Sequence, residues 1–393
     1  MKSPSISTTR AEIQLLVCSA RTKLDAGNSA RICELASAGI DWVFLFRQAS
    51  ENSVMPLLNL QLRAAGVAIP SEHNEILKAA IRENALRSLV LSAELVRLQD
   101  AFRSRGIPSI PYKGPVLAAQ AYGDIALREF EDLDIIVPER DLPKANETMA
   151  ASGFSAKFPQ SLLKERSASR VPAEFSYLNE ARHILVELHT ERTMRHFPVP
   201  PNLDSLAERM TPVQVSGHEV RTLSAEDTLV VLCVHGAKHF WDRLSWIADL
   251  AELIRAYPRL NWDDVSRRAI SLKTQSMLHS GLILAEELLE APLPQDLIAR
   301  MRRDAAALLI AEESQRKLLW PDLRPMDAGR RFHLRRKMVP GALAGWRYAM
   351  HLTMMPAEED WSAMSLPRPF APLYAAIRPF RLLRKYGWAW KRS

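Results

Sequence analysis

The chain has 393 residues, 47% of them hydrophobic and 25% charged, with a formal net charge of +7; this is the balance of a soluble globular protein too long for one small core, with about two or three packed units expected. No apolar run approaches the roughly 18 residues of a membrane span, and Met1 to Arg10 is polar with no hydrophobic signal region, so neither membrane spanning nor Sec export is indicated. Cys18, Cys33 and Cys233 are scattered, with neither ligand spacing nor a disulfide framework, which fits a reducing cytoplasm.

In chain order, residues 1–10 are expected to be disordered and 11–106 to be helical. Thr9 and Glu12 have capping-box spacing before a helix from Ile13 to Leu24. Asp41 is placed to open a helix running through Leu62, and Glu72 to Ser104 is a long amphipathic run ended by Gly106. Mixed structure is expected over 107–223. Ile107 to Gly114 reads as a short extended run ending in Lys113-Gly114, after which Pro115 begins a helix to Tyr122. A helix start offers free N–H groups and partial positive charge to a phosphate, and Lys113 adds a full charge beside it.

The run Glu131-Asp-Leu-Asp-Ile-Ile-Val137 reads as a strand. Alternation puts Asp132 and Asp134 on one face and Leu133, Ile135 and Val137 on the other. Two carboxylates so close repel, which is tolerable where a divalent cation such as Mg2+ sits between them and a phosphate. Pro138 blocks continuation, Asp141 is placed to cap a helix from Leu142 to Ser152, and Gly153 ends it. In Ile184 to His189, alternation leaves Glu187 and His189 facing away from Ile184, Val186 and Leu188. Pairing of this strand beside the acidic one would bring three carboxylates together. With no Walker-type or Gly-x-Gly-x-x-Gly loop in the chain, three acids and a Lys-Gly turn at a helix start favour metal-dependent nucleotidyl transfer.

Pro198 to Pro201 marks a linker, 215–223 a short extended pair, and from Ala225 the chain turns helical, with 224–320 expected to line the cleft. His235 and His239 lie four apart on one helical face; Gly236 after the first His departs from the zinc-protease pattern. Lys238 or His239 would meet phosphate if this helix edges the cleft, and Trp241 and Trp246 would stack on a base or else fill a core stripe with Cys233, Ile247, Leu250 and Ile254. Residues 321–393 are basic. From 361 onward there are seven Lys or Arg and no acid, interleaved with Phe380, Tyr386, Trp388 and Trp390. This mix suits an anionic membrane surface or nucleic acid, or else a terminal helix packed on the body.

The run Tyr112 to Arg128 with Lys113-Gly114, then Asp132-Leu-Asp134, then Glu187-Leu-His189, resembles the largely uncharacterised bacterial nucleotidyltransferase family of the DNA polymerase beta superfamily. Asp41-Trp42, the segment His235 to Asp249 and Arg378-Pro-Phe-Arg381 also resemble it, so the likeness covers most of the chain. It implies an α+β, mostly helical fold: a small mixed β-sheet nucleotidyltransferase core with helical domains before and after. It also implies Mg2+ or Mn2+ held by Asp132, Asp134 and Glu187. By the same likeness Lys113 and Gly114 stand where the superfamily usually has Gly-Ser, and Arg128 falls at a family position for phosphate contact, the alternative being a surface partner of Glu131. His189 would orient a ligand or be a satisfied sheet histidine.

The reaction so implied moves a nucleoside monophosphate from an NTP to a hydroxyl or phosphate of a small molecule, natural product or peptide, releasing pyrophosphate. A nucleotide-sugar or other nucleotide-diphosphate donor is the first alternative. A nucleotide-binding module without turnover is the second, against which intact Asp132, Asp134 and Glu187 argue.

Overall fold

The computed structural model describes residues 6–158, 160, 163, 174–191, 193–194, 196–323, 326–354 and 373–386. It is an α+β protein, mostly helical, with a small mixed five-stranded sheet and a separate two-stranded one. The N-terminal helices are α1 (Ala11–Ser19), α2 (Ala26–Ser37), α3 (Trp42–Glu51), α4 (Met55–Ala64) and the 34-residue α5 (Ser71–Ser104). Gly106, with φ of 63°, ends the chain's run along α5 in the left-handed region that glycine adopts freely.

The capping box at Thr9 and Glu12 does not form. The Thr9 hydroxyl donates instead to the Ile6 carbonyl in the preceding turn, and Glu12 accepts from the Asp41 backbone N–H at the start of α3, so a local partner takes one side chain and a tertiary partner the other. Asp41 caps α3 as expected, accepting from the Phe44 N–H at 3.0 Å, but the helix does not reach Leu62. It breaks at Asn52–Val54, where Ser53 takes a positive φ. The break is held from outside: Asn52 accepts from the backbone N–H groups of Leu244 and Ser245, satisfying the start of a distant helix whose own N-cap residue, Arg243, makes no side-chain cap bond.

The sheet follows. Strand β1 (Ile110–Pro111) leads into α6 (Gly114–Leu117), which continues as a single π turn over Ala118–Tyr122. Next come β2 (Asp132–Ile136), α7 (Leu142–Ala151), β3 (Ser155–Ala156), β4 (Phe175–Asn179) and β5 (Ile184–His189). Asp141 precedes α7 but makes no side-chain cap bond. The spatial order is β1-β2-β5-β4-β3, with β2 parallel to β5 and the other pairs antiparallel. One face of this sheet is apolar. Leu133, Ile135 and Val137 of β2 and its exit, Val186 and Leu188 of β5, and Phe175 and Tyr177 of β4 pack with Leu95, Leu98 and Phe102 of α5 and with α7 as one cluster. Each such fully buried aliphatic side chain contributes about 1.5–3 kcal/mol, which fixes the face on which the alternate residues must lie.

After the sheet come α8 (Leu203–Glu208) and a hairpin of β6 (Thr211–Val215) and β7 (His218–Thr222). The helical body is α9 (Ala225–Lys238), α10 (Leu244–Ala256), α11 (Trp262–Ser271), α12 (Gln275–Leu289), α13 (Gln295–Met301) and α14 (Ala305–Leu319). The chain continues through α15 (Ala328–Lys337), α16 (Ala342–Met354) and α17 (Leu373–Tyr386). Helices α9 to α16 and the N-terminal ones form a second hydrophobic cluster, which reaches the other face of the sheet through Ile110, Tyr112 and Ile136. Trp241 is fully buried at its centre. Gly236 of α9 and Gly281 of α12 make room for its ring: a Cβ on Gly236 would lie 2.5 Å or less from three ring atoms. Of the basic tail, Trp388, Trp390, Lys391 and Arg392 lie outside the described residues. Among the described residues no helix is long and apolar enough to cross a membrane.

Candidate active site

The register of two strands builds the site. Asp134 stands directly across from Glu187 in the parallel β2–β5 pair, and Ile136 across from His189. Residues paired in register share a face, so Asp132, Asp134, Glu187 and His189 all project from the side opposite the apolar cluster. One ligand atom from each of Asp134, Glu187 and His189 lies within 4.8 Å of the other two. Asp132, one pleat earlier and opposite Leu185, joins the same acid face without entering that close group. Of the three acids expected to converge, Asp134 and Glu187 enter the close group and Asp132 does not, its place being taken by His189.

Asp134 is the most heavily engaged of these. Lys113 Nζ donates to its Oδ1 at 3.1 Å, His189 Nε2 lies 3.1 Å from the same oxygen, and the Tyr112 hydroxyl donates to it at 3.3 Å. Burial would raise the Asp134 carboxyl, but the cationic Lys113 and the bond to His189 outweigh it and hold the group well below the usual carboxylate range. Burial would lower His189, but hydrogen bonds to Asp134 and Glu187 push it up to about 9. Asp132 moves the other way, raised to about 7 by burial and then by the negative charges of Asp134 and Glu187. Two neighbouring carboxylates driven apart in this way form a site that favours positive charge.

Two further features hold the Lys113 turn. Gly114 has a φ of +50° and comes so near β2 that a Cβ on it would sit 3.3 Å from the Asp132 carbonyl oxygen. Both the left-handed backbone and the close approach demand glycine, and the result is a Lys113 side chain aimed along the acid face.

Facing the acids across a cavity of about 590 Å³ is a basic and aromatic wall from α9 and α10. Lys238, His235, His239, Arg243 and Trp246 line it. The rings of His235, His239 and Trp246 lie within 5.0–5.1 Å of one another, centroid to centroid. Burial, reinforced by nearby cations, keeps both histidines well below the ordinary imidazole value, and burial pulls Lys238 down to about 8. Trp246 lines the cavity and also packs against the core, while Trp241 is wholly core. The turn that separates them carries consecutive left-handed residues, Phe240 at φ 57° and Trp241 at φ 50°, a conformation costing about 1–2 kcal/mol per residue outside glycine.

Arg128 lines the cavity but does not pair with Glu131, whose partner is Arg87. Its Nε and one Nη donate to the two oxygens of Asp249 at 2.8 and 3.0 Å, and the Tyr122 hydroxyl donates to the same carboxylate at 2.8 Å. Asp249 is 1% exposed. Sequence reasoning missed this network, and the available signal was an acid in the apolar stripe of α10 between Ile247 and Leu250. Glu129 was also missed; it accepts from the Met55 backbone N–H at 2.8 Å, and burial raises it to about 7.

The two carboxylates and one imidazole, converging within one ligand sphere and already drawing Lys113 to them, are a donor set suited to a hard divalent cation. Cations stand on both sides of the acid face, Lys113 at the helix start and Lys238 and Arg243 on the opposite wall, so a polyanion can lie along the cavity. A family model described as an uncharacterised nucleotidyltransferase matches residues 38–290, well over half of the chain. No curated protein matches. Among solved structures, an antigenic nucleotidyltransferase-like protein from Paracoccidioides brasiliensis is 14% identical, covering 49% of this chain and 91% of its own, with a TM-score of 0.30. A tRNA-processing enzyme in an apo form is 14% identical, covering 81% of this chain and 91% of its own, with a TM-score of 0.24. Neither likeness is close enough to add to the family match.

Proposed function

The chain belongs to this uncharacterised nucleotidyltransferase family, and on that premise we propose that it transfers a nucleoside monophosphate from a nucleoside triphosphate to an acceptor hydroxyl or phosphate. An acceptor oxygen attacks the α-phosphorus, the bond to the bridging oxygen breaks, and pyrophosphate carries away the electron pair. The observation that supports this most is the β2–β5 register, with Asp134 opposite Glu187 beside Lys113 at the edge of a cavity of nucleotide size.

Asp132, Asp134 and Glu187, with His189 beside them, would hold a divalent cation such as Mg2+, which supplies Lewis-acid neutralisation of phosphate charge when bound. Lys113 and the Gly114 backbone bind β and γ phosphates at the start of α6. Arg128 gives Asp249 two of its five N–H donors and has others for an anion. Lys238 offers a cation from the opposite wall, and neutral His239, with His235 and Trp246, provides flat surface for a base or an acceptor ring.

The test is Asp132→Asn and Asp134→Asn, assayed for magnesium-dependent release of pyrophosphate from each of the four NTPs with candidate acceptors. Both variants should lose turnover; Asp132→Asn should keep or raise the melting temperature, because burial and two negative neighbours disfavour that charge, whereas Asp134→Asn removes the charge that Lys113 and His189 pair with and should lower it while leaving a folded protein. Full magnesium-dependent activity in either folded variant would overturn the assignment. Release of nucleoside diphosphate in place of pyrophosphate would move the donor to a nucleotide sugar or a related diphosphate.

A further inference from the structure

Helix α16 carries apolar residues on two sides. Its buried side is Gly345, Tyr348, Ala349 and Leu352. Two contacts set that side inward: a Cβ on Gly345 would lie 2.0 Å from the Arg336 carbonyl oxygen, so α16 lies backbone to backbone on the end of α15, and the Tyr348 hydroxyl donates to the His196 carbonyl at 2.7 Å. The opposite side must then face outward. It reads Leu343, Trp346, Arg347, Met350, His351 and Met354, a stripe at helical spacing in which Leu343 is 63% exposed, Trp346 48% and Met354 38%. Phe380 of the neighbouring α17 is the most exposed large apolar residue described, at 73%.

Charge on these helices has one sign. The helices carry five Lys or Arg in α15, one in α16 and four in α17, with no Asp or Glu within them, and of these Arg330 is paired with Glu313 of α14. Arg336, Lys337, Arg347 and Arg384 are exposed. An apolar row edged by long cationic side chains matches the boundary of an anionic bilayer, where aliphatic groups enter the acyl region, Trp sits at headgroup level and Arg or Lys reaches lipid phosphates. A nucleic acid would use the cations and the rings but would leave Leu343 and Met354 exposed to water. We propose that α15–α17 form a docking surface for anionic lipid membranes, separate from the nucleotide cavity and holding the protein at the bilayer surface without crossing it.

The experiment is co-sedimentation of the full chain with vesicles of phosphatidylcholine alone or of phosphatidylcholine with phosphatidylserine, at low and high salt, with RNA binding measured in parallel. Wild-type protein should sediment with the anionic vesicles, more at low salt, and not with the neutral ones. Leu343→Asp with Trp346→Asp should abolish binding at both salt concentrations, since a charge replaces each inserted group. Arg347→Gln with Arg384→Gln keeps the apolar row and should weaken binding about fivefold for each charge removed, by a lipid-facing cation's usual contribution. All four positions are exposed and outside the cavity, so circular dichroism and magnesium-dependent turnover should match wild type. Wild type that stays in the supernatant with anionic vesicles at low salt, an unchanged Leu343→Asp/Trp346→Asp variant, or RNA binding without vesicle binding would each overturn the proposal.

Discussion

Substituting Asp249 should cost more stability than any change to the acids on β2, although Asp249 is placed to touch no substrate. Its carboxylate takes three hydrogen bonds, two from Arg128 and one from Tyr122, and it is 1% exposed with an Arg128 side chain 11% exposed. Solvent does not reach Asp249 and meets Arg128 only at the cavity edge. Asp249→Ala leaves a buried guanidinium without its counter-charge, worth about 3–5 kcal/mol, and a Tyr122 hydroxyl without an acceptor, worth about 1–3 kcal/mol. Even the lower sum is a large part of the roughly 5–15 kcal/mol that separates a typical native state from its unfolded chain. Urea unfolding followed by circular dichroism and tryptophan fluorescence reads the loss. The control is the triple variant Asp249→Leu, Arg128→Met, Tyr122→Phe, which removes every polar group together and should recover most of the stability while losing Arg128's donors to an anion. An Asp249→Ala variant within about 1 kcal/mol of wild type, or a triple variant no better than the single, would refute the reasoning that the network is dry and mutually dependent.

Two other outcomes follow from buried groups. Burial raises Glu129 from its unfolded value near 4.5 to about 7, so the native state holds the extra proton between those values, and stability should fall as pH rises through that window and level off above it; denaturant midpoints at pH 5 and pH 8 should differ less in Glu129→Gln than in wild type, and an unchanged difference would count against the shift. Gly236→Ala puts a Cβ 2.3 Å from the Trp241 ring and should destabilise by overpacking, about 1–3 kcal/mol, with a changed tryptophan emission; a variant that melts with wild type would show that the ring can move aside.

The acid strands were legible because a period of two is a local property: Leu133, Ile135 and Val137 against Asp132 and Asp134 need only their neighbours to be read. Their register was not. Nothing near Glu187 says that it faces Asp134 and not Asp132, since a slip of two residues keeps the same faces and is excluded only by how β4, β5 and α5 pack. The same distinction explains the misread helix ends. Thr9 and Glu12 have capping-box spacing, yet a contact to Asp41 takes Glu12. The α3 break at Asn52 is stabilised by α10, which begins 192 residues after it. Arg128 had a visible neighbour in Glu131 and a true partner 121 residues away. Long α5 ran where its periodicity and Gly106 put it, because a 34-residue amphipathic pattern outweighs any single tertiary contact.

The sheet that carries Asp134 and Glu187 is also the boundary between two hydrophobic clusters, and the cavity opens along that boundary. Its acidic wall is set by residues rooted in the cluster of α5 and α7, whereas Lys238, His239 and Trp246 ride on helices rooted in the other. The two walls can therefore drift separately over evolutionary time. Substitutions beneath α9 and α10 would reshape the face that selects a base or an acceptor while the strand register that assembles the acids stays as it is, so relatives with the same Asp-x-Asp strand can take different substrates without rebuilding the chemistry.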